Sequence, residues 1–280
     1  MMKFDFTVQR IITSASNPKV KFAQAVRKGL EKDYVFVEGL RLAEEVLRSK
    51  LGIVNVFFTE ELVTSERARG FLAKIENRKL IIVSKKIMNL VADTETPQGI
   101  VVICQRPKKG KKMIENRIVQ SIQLKIPSLV LMLNRIGNPS NLGATLRTAE
   151  AVDVEGVILT KGSTDPFSAK AVRGSMGACL RLPIWEKADF FDTVAWAKEK
   201  GLCVTCADVR ATKDYTQIDW KIPRLVIFGS EAEGISEKEL EQTQESLKIP
   251  MKNNVESLNV AVACGIILYE AMKYRNIFST

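Results

Sequence analysis

The 280-residue chain contains no histidine. That absence removes Ser-His and Cys-His nucleophile pairs, His-ligated zinc and histidine general bases together. Any catalysis must use Arg, Lys, carboxylates, hydroxyls, amides or a cofactor that carries its own reactivity. No apolar run approaches the roughly 20 residues that span a bilayer. The opening MMKFDFTVQR lacks an apolar secretory core followed by a small-residue cleavage site. A cytoplasmic protein with no membrane partner is expected. Neither GxGxxG after an early strand nor GxxxxGK[ST] occurs, so the dinucleotide and P-loop phosphate cradles are missing too. The five cysteines (Cys104, Cys179, Cys203, Cys206, Cys264) are an odd number scattered through apolar segments, which suits reduced core thiols better than a disulfide framework. Cys203 and Cys206 form a CxxC, but GLCVTCAD reads as a strand, where an offset of three places the thiols on opposite faces. No metal is expected.

What is present is the composition of a globular protein, 46% hydrophobic and 26% charged, in a chain long enough for two domains. The 42 Lys and Arg exceed the 32 Asp and Glu by ten, which points toward a polyanion such as RNA, DNA or a ribosome. Basic balance alone is weak evidence, because net charge also serves solubility. Strand and helix patterns alternate from NPKVKFAQAVRKGL to GIVVICQ, predicting a small α/β domain over residues 1–105. Residues 106–117, RPKKGKKMIENR, carry six basic side chains against Glu115 and read as an exposed basic connector or a phosphate-contacting strap. A linker is therefore expected over 106–127, and a second α/β alternation over 128–280, with LKIP as an edge strand.

Three loops of the second half follow strands and are marked by glycine or proline. LVLMLN runs into RIGNPSNLGATLRTAEA, where Asn141 is a candidate helix cap and Arg147 follows six residues later, about 1.7 turns, a spacing expected to turn both toward one cleft. RLVIFG runs into GSEAEGIS, where Gly229 and Gly234 bracket Glu231. IPMKNNVES leads into the final helix, for which Ser257 is the candidate N-cap with Asn259 in the first turn. That helix is apolar on almost every face and is expected to be buried. Three such loops form a reasonable rim for a ligand crevice at the carboxyl edge of an open parallel sheet.

The strings NPSNLGATLRTAEA, LVIFGSEAEGIS and IPMKNNVESLNVAVACGIILYEA resemble, in order, the three motifs of the SpoU, or TrmH-like, RNA ribose 2′-O-methyltransferases of the SPOUT superfamily. The N-terminal half resembles, less sharply, the small ribosomal-protein-like RNA-binding domain that precedes the catalytic domain in many members. The resemblance implies an N-terminal RNA substrate-binding domain (1–105), a basic linker (106–127) and a SPOUT methyltransferase domain (128–280) with a deep trefoil knot near its C-terminus. It implies S-adenosyl-L-methionine held largely by backbone around Gly229, Ile249 and Leu258, with Met251 and Gly234 in the same loops. It implies a homodimer whose active site receives residues from both subunits. By the same matching, Asn141, Arg147, Glu231, Ser257 and Asn259 fall on the catalytic and RNA-positioning polar positions. The expected reaction is 2′-O-ribose methylation of RNA, ribosomal and large-subunit first. A tRNA ribose methyltransferase and a non-catalytic RNA-binding ribosome-assembly factor of the same fold are the alternatives. Arg173, in KAVRGSMG, is either a phosphate contact or half of a structural salt bridge.

Overall fold

A computed structural model describes residues 11–108, 110–231, 233–253 and 255–275. The expectation about a secretory segment concerns MMKFDFTVQR, which lies outside the described residues. Among the described residues no helix is long and apolar enough to cross a membrane. The chain divides into two compact units: residues 1–107 with 167–181, and 108–166 with 182–280.

The first unit alternates helix and strand as its periodicity predicts: α1 (Pro18–Arg27), β1 (Tyr34–Glu38), α2 (Leu40–Arg48), β2 (Ile53–Phe58), α3 (Glu66–Leu72), β3 (Leu80–Ile82), α4 (Lys85–Val91) and β4 (Ile100–Gln105). Helix starts follow local chemistry. Asn17 accepts from the Lys19 N–H at 2.9 Å with Pro18 at the first helical position, and Ser65 and Ser84 cap α3 and α4. The sheet order is β1-β4-β2-β3, with β4 antiparallel to both neighbours and β2 parallel to β3. Phe36, Phe57, Ile81 and Ile103 fill the core beside α1 and α4.

The second unit begins with α5 (Lys111–Gln123), followed by β5 (Leu129–Leu133), α6 (Pro139–Ala151) and β6 (Gly156–Thr160). After α7 (Ala169–Gly174) come β7 (Ile184–Ala188), α8 (Phe190–Glu199), β8 (Cys203–Ala207), β9 (Lys213–Asp214), β10 (Arg224–Phe228), α9 (Glu237–Leu240), β11 (Glu245–Lys248) and α10 (Val260–Met272). The strands pair in parallel in the order β7-β6-β5-β10-β8-β11-β9. β5 and β10 are buried runs, LVLML and RLVIF, of the kind a sheet covered on both faces requires. From β5 the chain winds outward through β6 and β7, then returns on the other side of β5. The junction of β5 and β10 is thus a topological switch point, and ligands of open α/β sheets bind at the carboxyl ends of strands beside such a junction.

Three expectations change. Residues 106–127 are not an open linker throughout: α5 forms because Ile114, Ile118 and Ser121 recur at helical spacing and bury in the second core. The fit is close, since a Cβ on Gly156 would lie 2.5 Å from Ile114 Cγ1. Second, β11 is not the sheet edge, because the two-residue β9 pairs outside it. Third, residues 167–181, sequence-wise part of the second half, pack into the first unit. Ala169 joins its core, Arg181 pairs with Glu45, and a Cβ on Gly177 (φ +82°) would meet Glu45 Cβ at 2.8 Å. Arg173 sits 2.7 Å from Asp93, so of its two readings the structural salt bridge is the one formed.

At the amino edge of the parallel sheet a buried ion pair ties down the stretch that follows α10. Glu155 and Arg275 are 2% and 3% exposed. Arg275 donates to both carboxylate oxygens at 2.9 and 3.1 Å and to the Pro127 and Asp153 carbonyls at 2.9 Å. Glu155 also accepts from Ser121 Oγ at 2.5 Å and from the Leu129 N–H at 2.6 Å. With both carboxylate oxygens and both terminal guanidinium nitrogens hydrogen-bonded, the pair offsets most of its desolvation cost, while Arg275 Nε stays buried without a partner among the described residues. The helix before it, α10, buries Cys264, Ile267, Leu268 and Ala271 but leaves Val262 and Tyr269 about half exposed, at 52% and 50%. Within one chain, then, this apolar helix is covered on one side only.

Candidate active site

The exits of β8, β10 and β11 and the loop before α10 enclose a cavity of about 570 Å³. Its wall includes Gly229, Gly234, Ile249, Met251 and Leu258. The loop after β10 folds back on itself: the Gly234 N–H donates to the Ser230 carbonyl at 3.0 Å, and the two residues form a lone antiparallel bridge. Glycine is required twice in this turn. Gly234 has φ +64°, and a Cβ on Gly229 would fall 2.4 Å from the Gly234 carbonyl carbon.

Asn141, Glu231, Ser257 and Asn259 line the same cavity, and three of them are linked. Asn259 caps α10, its Oδ1 accepting from the Ala261 N–H at 2.9 Å. That fixes its amide so that Nδ2 donates to Asn141 Oδ1 at 3.1 Å. Asn141 Nδ2 in turn donates to Glu231 Oε1 at 3.0 Å. One directional chain therefore joins residues from all three loops, and each amide's orientation follows from the next.

The caps differ from the expectation in an instructive way. Asn138, not Asn141, caps α6, accepting from the Ser140 and Asn141 N–H groups at 2.8 and 3.4 Å. Asn141 is thereby free to reach across the loops. Likewise Asn259 takes the capping role proposed for Ser257, which stays exposed in the cavity wall. Arg147 is exposed on α6 and is not part of the wall. Six residues advance a helix by about 600°, which leaves Asn141 and Arg147 about 120° apart around the axis. Helical phase thus sets the two on different sides of α6.

Residues the motifs did not mark complete the surroundings. Glu239, on α9, accepts from Arg135 through both oxygens (2.6 and 3.0 Å), from Asn134 Nδ2 (3.1 Å) and from the Ser236 N–H and hydroxyl (3.0 and 2.8 Å). This ties the loop after β5 to the segment after β10. Burial alone would raise the Glu239 pKa, but the Arg135, Ser236 and Asn134 hydrogen bonds outweigh it and hold it at about 2. Asp208 and Arg210, at the exit of β8, also line the cavity. The hydrogen bonds from Arg210 hold the Asp208 carboxyl below the usual carboxylate range. The signal for them was positional: they follow strand LCVTCA as the other loops follow theirs, but no glycine flags the turn. Burial pushes the nearby Cys206 thiol up to about 12, which makes it a core residue with no nucleophilic role.

The cavity thus offers amides, carboxylates, a hydroxyl and closely approached backbone. Such a site orients a ligand that brings its own reactive group.

Both halves of the chain have known relatives. A family model described as the SpoU rRNA Methylase family matches residues 128–269, and an MRM3-like substrate binding domain matches residues 17–102. The chain is 32% identical over 272 residues to an uncharacterized tRNA/rRNA methyltransferase of Synechocystis, with 96% of each chain covered. It is 29% identical over 263 residues to the 23S rRNA (guanosine(2553)-2′-O)-methyltransferase RlmP of Bacillus subtilis, covering 92% of this chain and 97% of that one. The crystal structure of an AdoMet-bound rRNA methyltransferase from Sinorhizobium meliloti matches with a TM-score of 0.80 at 26% identity, over 95% of this chain and 98% of that one.

Proposed function

The chain belongs to the SpoU rRNA methylase family, and on that premise we propose that it transfers a methyl group from S-adenosyl-L-methionine to a ribose 2′-oxygen of large-subunit ribosomal RNA. The observation that carries this reading is the Asn259–Asn141–Glu231 hydrogen-bond chain in the wall of the cavity at the strand ends. Ribosomal RNA as substrate puts the protein in the cytoplasm, where the bacterial relatives' ribosomes are assembled.

The residues present fit the methyl donor. A cavity of about 570 Å³ is of the size that holds a nucleoside-bearing ligand. The Gly229–Gly234 turn, where no Cβ fits, brings backbone against it, and Ile249, Met251 and Leu258 supply apolar wall. These residues, with Gly229 and Gly234, are assigned to donor binding. When bound, the donor supplies a methyl group already activated on a sulfonium, so the protein needs no nucleophile of its own.

The protein's remaining task is to align the ribose hydroxyl and help remove its proton. Asn141, Glu231, Ser257 and Asn259 are assigned to holding the ribose and its neighbours, with the linked amides preset in direction. Arg147 brings a guanidinium, a group of donors with no acceptor capacity. Its role is to stabilise the developing alkoxide electrostatically, while the proton passes to water or to a phosphate of the substrate. Because Arg147 stands outside its own chain's cavity, it serves the cavity of a second copy in a homodimer, and the uncovered Val262 and Tyr269 face of α10 supplies apolar surface for that association. Residues 17–102 form the RNA-binding part, and the basic run from Arg106 to Lys112 contacts phosphates. The trefoil knot is the family's fold for the segments from about Leu225 to Arg275.

Protein incubated with methyl-labelled donor and separate pools of unmodified ribosomal RNA and tRNA tests the reading. Label in the large-subunit RNA is expected. Label in tRNA alone redirects the substrate, and RNA binding without transfer to either pool identifies a non-catalytic binder.

A further inference from the structure

Arg210 and Asp208 line the cavity but have no part in the assignment above. The Asp208 side chain is 7% exposed, and three donors of Arg210 converge on it. The Arg210 N–H and Nε reach Oδ1 at 2.8 and 3.0 Å, and Nη2 reaches Oδ2 at 2.7 Å. Nη2 also donates to the Ile235 carbonyl at 3.3 Å. A guanidinium gripped along its Nε–Nη2 edge by a nearly buried carboxylate is fixed in plane and orientation. Its Nη1 group is left over: among the described residues it has no acceptor.

A guanidinium nitrogen fixed in a ligand cavity is a donor without acceptor capacity, so it selects an anionic or carbonyl oxygen. The other acidic groups of the wall are Glu231, Glu233 and Glu256, and the other cation is Lys248, a point charge on a flexible stem. The cavity therefore offers carboxylates toward cationic groups and one oriented guanidinium nitrogen toward an anion. The methyl donor has that charge pattern: a sulfonium and an ammonium at two positions, and a single carboxylate.

We propose that Arg210, oriented by Asp208, binds the carboxylate of the donor's amino-acid tail and so makes the cavity selective for nucleosides that carry an amino acid. This rests on the methyl-donor reading of the cavity. Arg210 is then a specificity residue for the donor, and Asp208 positions it.

The test is calorimetric binding of two thioethers, S-adenosylhomocysteine and the same compound without its carboxylate. The unaltered protein should bind the second about tenfold more weakly, the effect of one charge-assisted hydrogen bond. Arg210→Met, which keeps the stem and loses the charge, should bind both equally, at the weaker affinity. Arg210→Lys should restore part of the preference, and Asp208→Asn should reduce it by loosening the fork. Equal weakening of both ligands in Arg210→Met would mean that Arg210 only holds the wall between Asp208 and Ile235, and would overturn the proposal. So would an unchanged preference, or equal affinities in the unaltered protein with RNA binding lost on substitution, which would assign Arg210 to a phosphate. Failure of the unaltered protein to bind either thioether would instead count against the methyl-donor reading itself.

Discussion

The two edges of the parallel sheet solve opposite problems with polar side chains. At the amino edge, Glu155 and Arg275 are buried, paired and hydrogen-bonded to groups of α5, β5 and the Pro127 and Asp153 loops. At the carboxyl edge, Asn141, Glu231 and Asn259 are linked in a single file and remain open to the cavity. Burial makes the first network a clasp, since no ligand can reach it. The second has direction but spare capacity, which a binding site needs. The difference predicts that substitutions at one edge act on stability and at the other on turnover.

Arg275→Ala should have the largest effect, because it leaves Glu155 charged and uncompensated in the interior, at a cost of about 3–5 kcal/mol. Denaturant unfolding would show it. The paired replacement Glu155→Leu with Arg275→Met should recover most of the loss, and failure to recover would mean that the hydrogen bonds to Pro127 and Asp153 matter more than the charge pair. Asn141→Ala attacks the other edge at its middle link. Methyl transfer should fall about 100-fold, the scale of losing an oriented polar group at a reacting centre, with the melting temperature nearly unchanged. A large drop in melting temperature would erase the contrast between the two edges.

Gly229→Ala should lie between the two classes. The added methyl meets backbone, which must move at a cost of about 1–3 kcal/mol. Donor affinity measured by titration should fall along with stability. The smallest effect is expected from mild acid. Glu239 has its folded pKa held at about 2 against an ordinary value of 4.5, so its contribution is complete above about pH 4.5 and is lost as pH falls toward 2. Wild type and Glu239→Gln should therefore show a constant stability difference from pH 7 to about 5, narrowing below that. A difference that widened on acidification would have the wrong sign for a carboxylate held ionised by Arg135.

What could be read in the sequence was local. The buried strands LVLML and RLVIF, the paired glycines around Glu231 and the polar residues of the three loops all declare themselves within a few positions. The caps were misplaced because Asn138 and Asn141, or Ser257 and Asn259, are equally good capping residues, and only the fold decides which one turns inward. Arg147 was aligned with Asn141 by spacing, yet helical phase separates them. The Glu155–Arg275 clasp joins residues 120 positions apart, and no periodicity encodes such a pairing. Nor does local pattern show that residues 167–181 pack beside β1 and Asp93. A cut after residue 105 would strip that segment of its partners, so the domain boundary in sequence is not a boundary in packing.

The most direct measurement is the chemical identity of the methylated product. Ribosomal RNA treated with the protein and methyl-labelled donor would be digested to nucleosides and the label located by mass spectrometry. A single 2′-O-methylated nucleoside, absent when Asn141→Ala replaces the unaltered protein, is the predicted result. Label on a base, or on ribose with the Asn141→Ala protein fully active, would contradict the assignment of the linked amides to the reacting sugar.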